Sequence, residues 1–300
     1  MQEEKKEELT FTLKNAKVNI FAWKAHILCF IHQDHARVDA IDILKDGETV
    51  FVQNWAMKYL PRKYRESQTN WFGKRGILWH ITVAFRKFEG QLELLTFAHI
   101  FRSCNQDSSA VVVAVMEDVI CQLKIVMTNL TRVFYRQDNA GCNHCGATIV
   151  CASRKGSRNG VQVERLDFSD AQGGKGACDR KAATIKAHMH VFLNAGHDID
   201  SADQMYDAMT SDGGVPSLSV TLCESVSIQS SVNCKIEGVS LISNIKYSSE
   251  GIRVWRAFNI DPGRLIRPQR VPVSLPQLPS LLVLKGSSFS AIKGRVSSYS

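Results

Sequence analysis

Two aspartates, Asp138 and Asp179, stand where an α/β protein can place acids for metal-assisted phosphodiester chemistry. Asp138 closes the strand candidate 132–137, and the chain then turns at Gly141. Asp179 opens a helical pattern behind the glycine-rich loop 173–176. This chemistry needs two divalent ions about 3.5–4 Å apart, each held by at least one carboxylate oxygen. The pattern permits an Mg²⁺ or Mn²⁺ site at Asp138 and Asp179, although such aspartates are also common turn and cap residues.

The residues after Asp179 favour the approach of a phosphate backbone. At helical spacing, Lys186 and His190 share a stripe with Asp179, beside the small residues Ala182 and Ala183. The preceding glycine loop resembles a phosphate cradle at a helix N-terminus. It lacks the Gly-Lys-Ser/Thr ending of a nucleotide-binding loop, so we exclude nucleotide hydrolysis.

Cysteine and histidine cluster directly after Asp138. Cys142, His144 and Cys145 lie within four residues, with Cys151 further on. Thiolate and imidazole groups suit Zn²⁺, but a structural zinc site needs four ligands and no second pair with regular spacing follows. The segment therefore leaves three interpretations open: buried small side chains, a zinc site, or a redox pair.

Cations are concentrated in one block. Residues 55–90 hold 8 basic and 2 acidic residues, whereas residues 1–50 hold 7 and 9. Aromatic residues are interleaved with these cations, which favours nucleic acid, because cations bind phosphates and aromatic rings stack on unpaired bases. A solvated loop with packing aromatics is the alternative. The predicted nucleic-acid-binding residues, including later cations near Asp179, are Lys58, Arg62, Lys63, Arg65, Lys74, Arg75, Lys175, Arg180 and Lys186.

The predicted strands and helices that would position these residues indicate an α/β domain. Strand patterns cover residues 49–55, 76–85, 92–101, 132–137 and 161–168. Residues 110–130 have a β-branched start but the length and apolar spacing of a helix, and residues 178–195 form a helix closed by Gly196. A short helix and a flexible basic turn at 154–160 complete the order. We expect a mixed sheet flanked by helices, with Trp79 and His80 in its core.

Four segments are expected along the chain. Residues 1–46 form an N-terminal helical segment, and residues 47–212 form the α/β core. Residues 213–262 read as a weak β-rich extension. Five of the seven prolines fall between Pro262 and Pro279, so residues 263–300 are expected to be a poorly ordered Pro/Ser-rich basic tail.

The composition of the whole chain indicates its cellular environment and the class of its partner. The chain of 300 residues carries 37 Lys and Arg against 29 Asp and Glu, a net charge of +8, which favours a polyanionic partner. Nine cysteines with no amino-terminal signal pattern predict reduced thiols in the nucleus or cytoplasm rather than secretion. No apolar run approaches the ~18 residues that cross a bilayer, so we expect no membrane partner. A homo-oligomer is compatible with these data.

Six strings carry a resemblance to a known family. Residues of about 15–210 resemble animal transposon-encoded proteins with a ribonuclease-H-like DDE/D transposase domain. The strings are QNWAMK at 53–58, LPRKYRE at 60–66, WFGKRG at 71–76, RQDNAGC at 136–142, DFSD at 167–170 and GGKGACDR at 173–180.

The resemblance implies a two-metal nucleotidyl transferase that cuts and rejoins DNA. Its second acid matches Asp138, and its third matches Asp179, with Asp170 as the competing choice. Its first acid should fall at position 54, where this chain has Asn54. An amide is neutral and coordinates a divalent cation weakly, so we expect impaired catalysis with Mg²⁺ or Mn²⁺. The alternatives are a non-catalytic module that binds DNA or RNA, and a transposon remnant without function.

Overall fold

A sheet of ten strands organises the part of the chain that the structure describes. The computed structural model describes residues 2–67, 74–169, 176–227, 234, 236–267 and 278–290. The strands are β1 (Glu48–Trp55), β2 (Leu78–Phe88), β3 (Gln91–Phe101), β4 (Arg132–Gln137), β5 (Gln162–Phe168), β6 (Leu218–Ser227), β7 (Asn244–Ser248), β8 (Gly251–Trp255), β9 (Arg264–Ile266) and β10 (Ser280–Gly286).

The strand order confirms the ribonuclease-H-like fold. The full order is β10-β6-β3-β2-β1-β4-β5-β7-β8-β9, with β3-β2-β1-β4-β5 at its centre. Strands β1, β2 and β3 form an antiparallel meander, whereas β4 pairs parallel to β1 and β5 pairs parallel to β4. Parallel neighbours end at the same edge of a sheet, so the C-terminal ends of β1, β4 and β5 lie together. This edge holds the candidate site.

Five α-helices within the described ranges accompany the sheet. They are α1 (Gln2–Asp42), α2 (Ser109–Val126), α3 (Gly146–Arg158), α4 (Ala177–Asn194) and α5 (Ala202–Thr210). Residues 110–130 therefore resolve as a helix, since α2 fills one face of the sheet. Nowhere in the described part of the chain does a helix combine the length and apolar character needed to cross a membrane.

The helices cover both faces of the sheet. On one face, α2 and α3 pack against side chains such as Phe51 and Tyr135. On the other face, α4, α5 and the end of α1 pack against side chains such as Val50 and Trp79. Successive residues of β1 alternate between the two cores, as a pleated strand requires. His80 is also buried, so both Trp79 and His80 belong to the core as expected.

One correction concerns the basic segment at 154–160. It is not a flexible turn, because α3 continues through it to Arg158. Lys155 is fully buried there, and its Nζ donates to a carboxylate oxygen of Glu117 and to the carbonyl oxygen of Pro279 at 2.7 Å. A buried cation is tolerated when it is paired in this way.

The C-terminal third of the chain contributes more to the sheet than its sequence indicates. β6 inserts beside β3, and β7 and β8 extend the sheet beyond β5. The region 213–262, expected as an extension, thus joins the same sheet as the core. From residues 263–300, β9 pairs with β8 and β10 pairs with β6, while 268–277 and 291–300 lie outside the described residues.

Candidate functional site

Asn54 and Asp138 lie next to each other at the sheet edge. The parallel register of β1 and β4 pairs Gln53 with Gln137, and each candidate residue is the next one along its strand. Side-chain alternation places Val50 and Phe134 in the core on the α4 face. Asn54 follows Val50 by four residues within β1 and so belongs to that face, and Asp138 follows Phe134 by the same spacing directly after β4 ends.

The start of α4 brings Asp179 to the same place. Asn54 and Asp179 line one cavity of about 190 Å³ between the end of β1 and the first turns of α4. The small side chains of Ala182 and Ala183 keep this cavity open, and Lys186 contributes a cation to its wall. The predicted stripe of Asp179 and Lys186 beside two alanines therefore faces the end of β1.

A buried thiol lies beneath the three candidate residues. The Sγ of Cys178 donates to the carbonyl oxygen of Val52 at 3.2 Å, which fastens the helix start to β1. Burial raises the pKa of Cys178 to about 12, and the negative charges of Asp179 and Asp138 also raise it. The bond to Val52 therefore places Asp179, the next residue along α4, beside the end of β1.

Each carboxylate already has local hydrogen-bond donors. The Oδ1 of Asp138 accepts from the backbone N–H of Ala140 at 3.2 Å and from the side-chain amide of Asn143. The Oδ2 of Asp179 accepts from the backbone N–H of Gly176 at 2.9 Å, at the N-terminus of α4. These bonds hold one oxygen of each carboxylate, and within the described residues no hydrogen bond is made to the Oδ2 of Asp138 or the Oδ1 of Asp179.

The donor set does not fit a complete two-metal site. Two ions need carboxylates on both sides, whereas this edge supplies two carboxylates and the neutral amide of Asn54. Within the described ranges, no three His, Cys, Asp or Glu side chains are grouped so that they could hold a metal ion. Asp170 and Lys175 lie outside the described residues.

The predicted cations fall into two groups. Lys63 lies 3.9 Å from the carboxylate of Asp200, and Lys74 pairs with Glu66, so these two cations are largely neutralised within the protein. Lys58, Arg62, Arg65, Arg75 and Arg180 are exposed, as Lys63 is.

Three aromatic or histidine neighbours order this surface. The Nη1 of Arg62 lies 2.9 Å from the Nε2 of His190 on α4, which links the segment after β1 to that helix. Arg65 lies over the ring of Tyr64 at 5.7 Å. On α4, Lys186 lies 5.9 Å from the ring centroid of Trp79. The cations near the cavity are therefore partly held by packing, and they remain within reach of a phosphate.

The cysteine–histidine cluster packs as part of the core. The residues Cys142, His144 and Cys145 are not gathered as metal ligands in the described structure. Burial raises the pKa of Cys142 and lowers that of His144, whose ring lies 4.3 Å from the ring of Phe168. The geometry favours the packing interpretation over zinc for this segment.

Sequence reasoning missed two residues that shape the site. Cys178 directly precedes Asp179, but a lone cysteine in a helix start gives no signal of a contact with β1. Asn143 lies inside the cysteine–histidine cluster, where attention to metal ligands obscures its amide. An amide five residues after a strand-ending acid is the pattern that could have revealed the bond to Asp138.

The solved structures that match the chain include a nuclease domain of limited similarity. The nuclease domain of the human cytomegalovirus terminase, solved with manganese soaked in and an inhibitor bound, matches at 11% identity and a TM-score of 0.22. The match covers 53% of this chain and 65% of that domain, so the chain spans a little under two thirds of it. The fold assignment therefore rests on strand order.

The sequence comparisons identify a family. No curated protein matches the chain. A family model described as "Domain of unknown function (DUF8701)" matches residues 33–249, which include every strand from β1 to β7 and the whole candidate site. The match covers more than half of the chain, and the protein therefore belongs to the DUF8701 family.

Proposed function

We propose that this chain is a transposase-derived ribonuclease-H-like domain that binds DNA at the sheet edge and has lost most of its ability to cleave it. The observation that carries the proposal is that Asn54 and Asp179 line one cavity at the C-terminal end of β1, beside the end of β4, which Asp138 directly follows. Acids at these positions in a ribonuclease-H-like sheet serve phosphodiester cleavage. The asparagine is the residue that weakens this activity.

Charge explains why one amide matters. Three carboxylates would bring a charge of about −3 to a pair of divalent ions, whereas Asp138 and Asp179 bring about −2. Loss of one charged ligand weakens metal binding, and even a change in a supporting residue costs about 10–100-fold. With Mg²⁺ or Mn²⁺ as the cofactor of the parent activity, we expect the wild-type chain to bind the ion weakly and to cleave slowly.

The cations around the cavity support DNA as the ligand. Lys186 lies in the cavity wall, and the exposed Lys58, Arg62, Arg65 and Arg75 lie on the segments that flank the end of β1. Contacts between such cations and phosphates release counterions and need no divalent metal. DNA binding can therefore persist where cleavage has been lost, in a protein of the nucleus or cytoplasm.

A nicking assay tests the catalytic part of the proposal. Supercoiled plasmid is incubated with Mg²⁺ or Mn²⁺ and with the wild type, Asn54→Asp, or Asn54→Asp combined with Asp138→Ala. We expect nicking near background for the wild type, a gain of at least about tenfold for Asn54→Asp, and loss of that gain in the double variant. Asn129→Asp, an exposed change of the same kind at the opposite end of the sheet, is the matched control.

One result would contradict the role given to Asn54. If the wild type nicks DNA as fast as Asn54→Asp, and Asp138→Ala abolishes that activity, the amide is not a defect. Equal rates for Asn54→Asp and Asn129→Asp would likewise remove the sheet edge as the active site.

A non-catalytic nucleic-acid-binding module is the second candidate, and the exposed cations favour it. Binding of a labelled DNA duplex in EDTA is measured by fluorescence anisotropy as the salt concentration rises. We expect Arg62→Ala and Arg65→Ala each to weaken binding and to reduce the salt dependence by about one counterion. Lys63→Ala is the internal control, because Lys63 already faces Asp200. Tighter binding to single-stranded RNA than to DNA would reassign the ligand.

A further inference from the structure

The N-terminal helix α1 carries far more exposed apolar surface than a solvated helix needs. Every residue from 3 to 26 is exposed, although Leu9, Leu13 and Trp23 are large apolar residues with 64%, 70% and 62% of their surface accessible. Long helices in water depend on packing for most of their stability, and a helix that is apolar on several sides is normally buried. We therefore expect the apolar residues of this part of α1 to pack against a partner.

Seven of the apolar residues form one continuous line along α1. They are spaced alternately four and three residues apart, which is the a and d pattern of a coiled coil over about three heptads. We call this line the α1 seam. It consists of Leu9, Leu13, Ala16, Ile20, Trp23, Ile27 and Phe30.

The α1 seam ends where α1 begins to pack on its own domain. The next two positions of the pattern are Asp34 and Arg37, which are charged. From Gln33 onward the helix contacts the domain, since Gln33, Ala36 and Ala40 are buried. One helix is thus divided into a part that docks in the chain and a part whose apolar line faces solvent.

We propose that α1 is a self-association helix, which pairs in parallel with α1 of a second copy of this chain through the α1 seam. The seam would bury its apolar residues in a two-stranded coiled coil about 33 Å long, at 1.5 Å per residue. Ile20 and Ile27 occupy a positions, where β-branched residues favour two parallel strands when leucine stands at d, as Leu9 does at the start of the seam. This inference concerns assembly and is independent of the proposed DNA chemistry.

The charges beside the seam select the parallel orientation. In a parallel pair each g position faces the following e position of the other helix, so Lys17 and Lys24 face Thr12 and Asn19. In an antiparallel pair e faces e, which brings Lys17 opposite Lys17 or Lys24 of the second copy. Like charges at that distance repel, so the second copy is accepted in one direction.

A second apolar stripe on the opposite side of α1 supplies matched controls. It contains Phe11, Val18, Phe21, Ala25 and Leu28, and Lys14 interrupts it near its start. Ile20 and Val18 are both exposed, at 53% and 65%, and are only two residues apart. A substitution at either position leaves the packed core of the domain untouched.

Sedimentation equilibrium of the full chain tests the proposal. We expect the wild type to approach twice the 33.5 kDa mass of one chain at micromolar concentration. Ile20→Asp places a charge in the seam and should weaken the dimer by at least about tenfold, whereas Val18→Asp should leave it intact. A wild type that stays monomeric at tens of micromolar would overturn the proposal. Equal effects of the two variants would do so as well.

Disulfide trapping tests the orientation. A parallel pair places position 13 of the two helices in contact, whereas an antiparallel overlap of residues 9–30 would set it about 20 Å from its own copy along the axis, so Leu13→Cys should crosslink two chains under mild oxidation. Val18→Cys, on the far side, should crosslink no faster than the wild type, which reports the background from native cysteines such as Cys121. Rapid crosslinking of Val18→Cys, or none of Leu13→Cys, would contradict a parallel seam.

Discussion

Asp167 in the interior of the sheet and Asp138 at its edge differ in the origin of their hydrogen-bond donors. In the interior, Asp167 accepts from the Nε of Arg165 at 2.8 Å and from the amide of Asn244 at 2.7 Å, and Asn244 in turn accepts from Gln33 of α1 at 2.6 Å. At the edge, the hydrogen bonds that Asp138 accepts within the described residues come from Ala140 and Asn143 of its own loop. The interior acid joins distant parts of the chain, whereas the edge acid is held locally and keeps an oxygen for a ligand.

The two acids differ in how strongly the stability of the fold depends on their partners. Burial raises the pKa of Asp167, and the charge of Arg165 opposes that shift, so the interior acid depends on its partner. Arg165 also donates to the carbonyl oxygen of Ala36 at 2.5 Å, and Arg136 donates to that of Gln33 at 2.9 Å. The interior cluster therefore fastens the end of α1. Substitutions should be costly there and nearly neutral at the edge.

Arg165→Met should have the largest effect on stability. It leaves Asp167 buried beside a single amide donor and removes a bond to α1, so we expect a loss of about 3–5 kcal/mol in the free energy of unfolding. Urea denaturation followed by circular dichroism measures it. The exposed Arg256→Met should change that free energy by less than about 0.5 kcal/mol. A loss below about 1 kcal/mol for Arg165→Met would erase the contrast between the two regions.

Acid should destabilise the interior through His80. Burial, together with the nearby His99, lowers the pKa of His80 to about 3. In the unfolded chain the same histidine side chain has a pKa near 6.5. The unfolded state binds the proton first as the pH falls, so stability is present above pH 6.5 and is lost towards pH 3. Between pH 6 and 4 this residue should cost about 1.4 kcal/mol per pH unit.

His80→Leu is the measurement for that prediction. Urea denaturation at several pH values should show a shallower dependence in the variant than in the wild type. His35→Leu, at an exposed position, should keep the wild-type dependence. If the free energy of unfolding depends on pH in the same way in the wild type and in His80→Leu, His80 is not the source of the acid sensitivity.

The central fold was predictable because its signals are local. Apolar alternation and turn residues marked β1 to β5, whereas the edge shared by positions 54 and 138 was expected only from the family resemblance. The position of β6 was not predictable, because its pairing with β3 joins residues more than a hundred positions apart. Lys155 was misread for the same reason: its partner Glu117 lies on another helix, and a basic segment read alone predicts solvent.

The site shows the same limit. Asp138 and Asp179 could be proposed from strand and helix ends, but the cavity that joins Asn54 to Asp179 depends on how α4 packs on β1 and β2. The bond from Cys178 to Val52 fixes that packing across 126 residues of sequence. Nothing in the local pattern of either segment encodes it.

Asp179→Ala should cost little, in contrast to Arg165→Met. It removes the acceptor for the Gly176 N–H and a favourable charge at the N-terminus of α4, so we expect a loss of about 1 kcal/mol. Asp179→Asn keeps an acceptor oxygen and should lose less. Urea denaturation of both variants checks this. A loss as large as that of Arg165→Met would show that Asp179 is a structural acid like Asp167.

Asn54→Asp should have the smallest effect, and its sign should depend on metal. In EDTA the new carboxylate repels Asp138 and Asp179 across a half-exposed edge, which should destabilise the fold by about 0.5–1 kcal/mol. With Mn²⁺ at about ten times the dissociation constant, binding to the folded state should return about 1.4 kcal/mol. The variant should thus become more stable than it is in EDTA, whereas the wild type and Asn129→Asp should gain less. Equal gains in the free energy of unfolding in all three proteins would mean that Mn²⁺ binds elsewhere. The edge would then differ from the interior in exposure, but not in its ability to bind a metal ion.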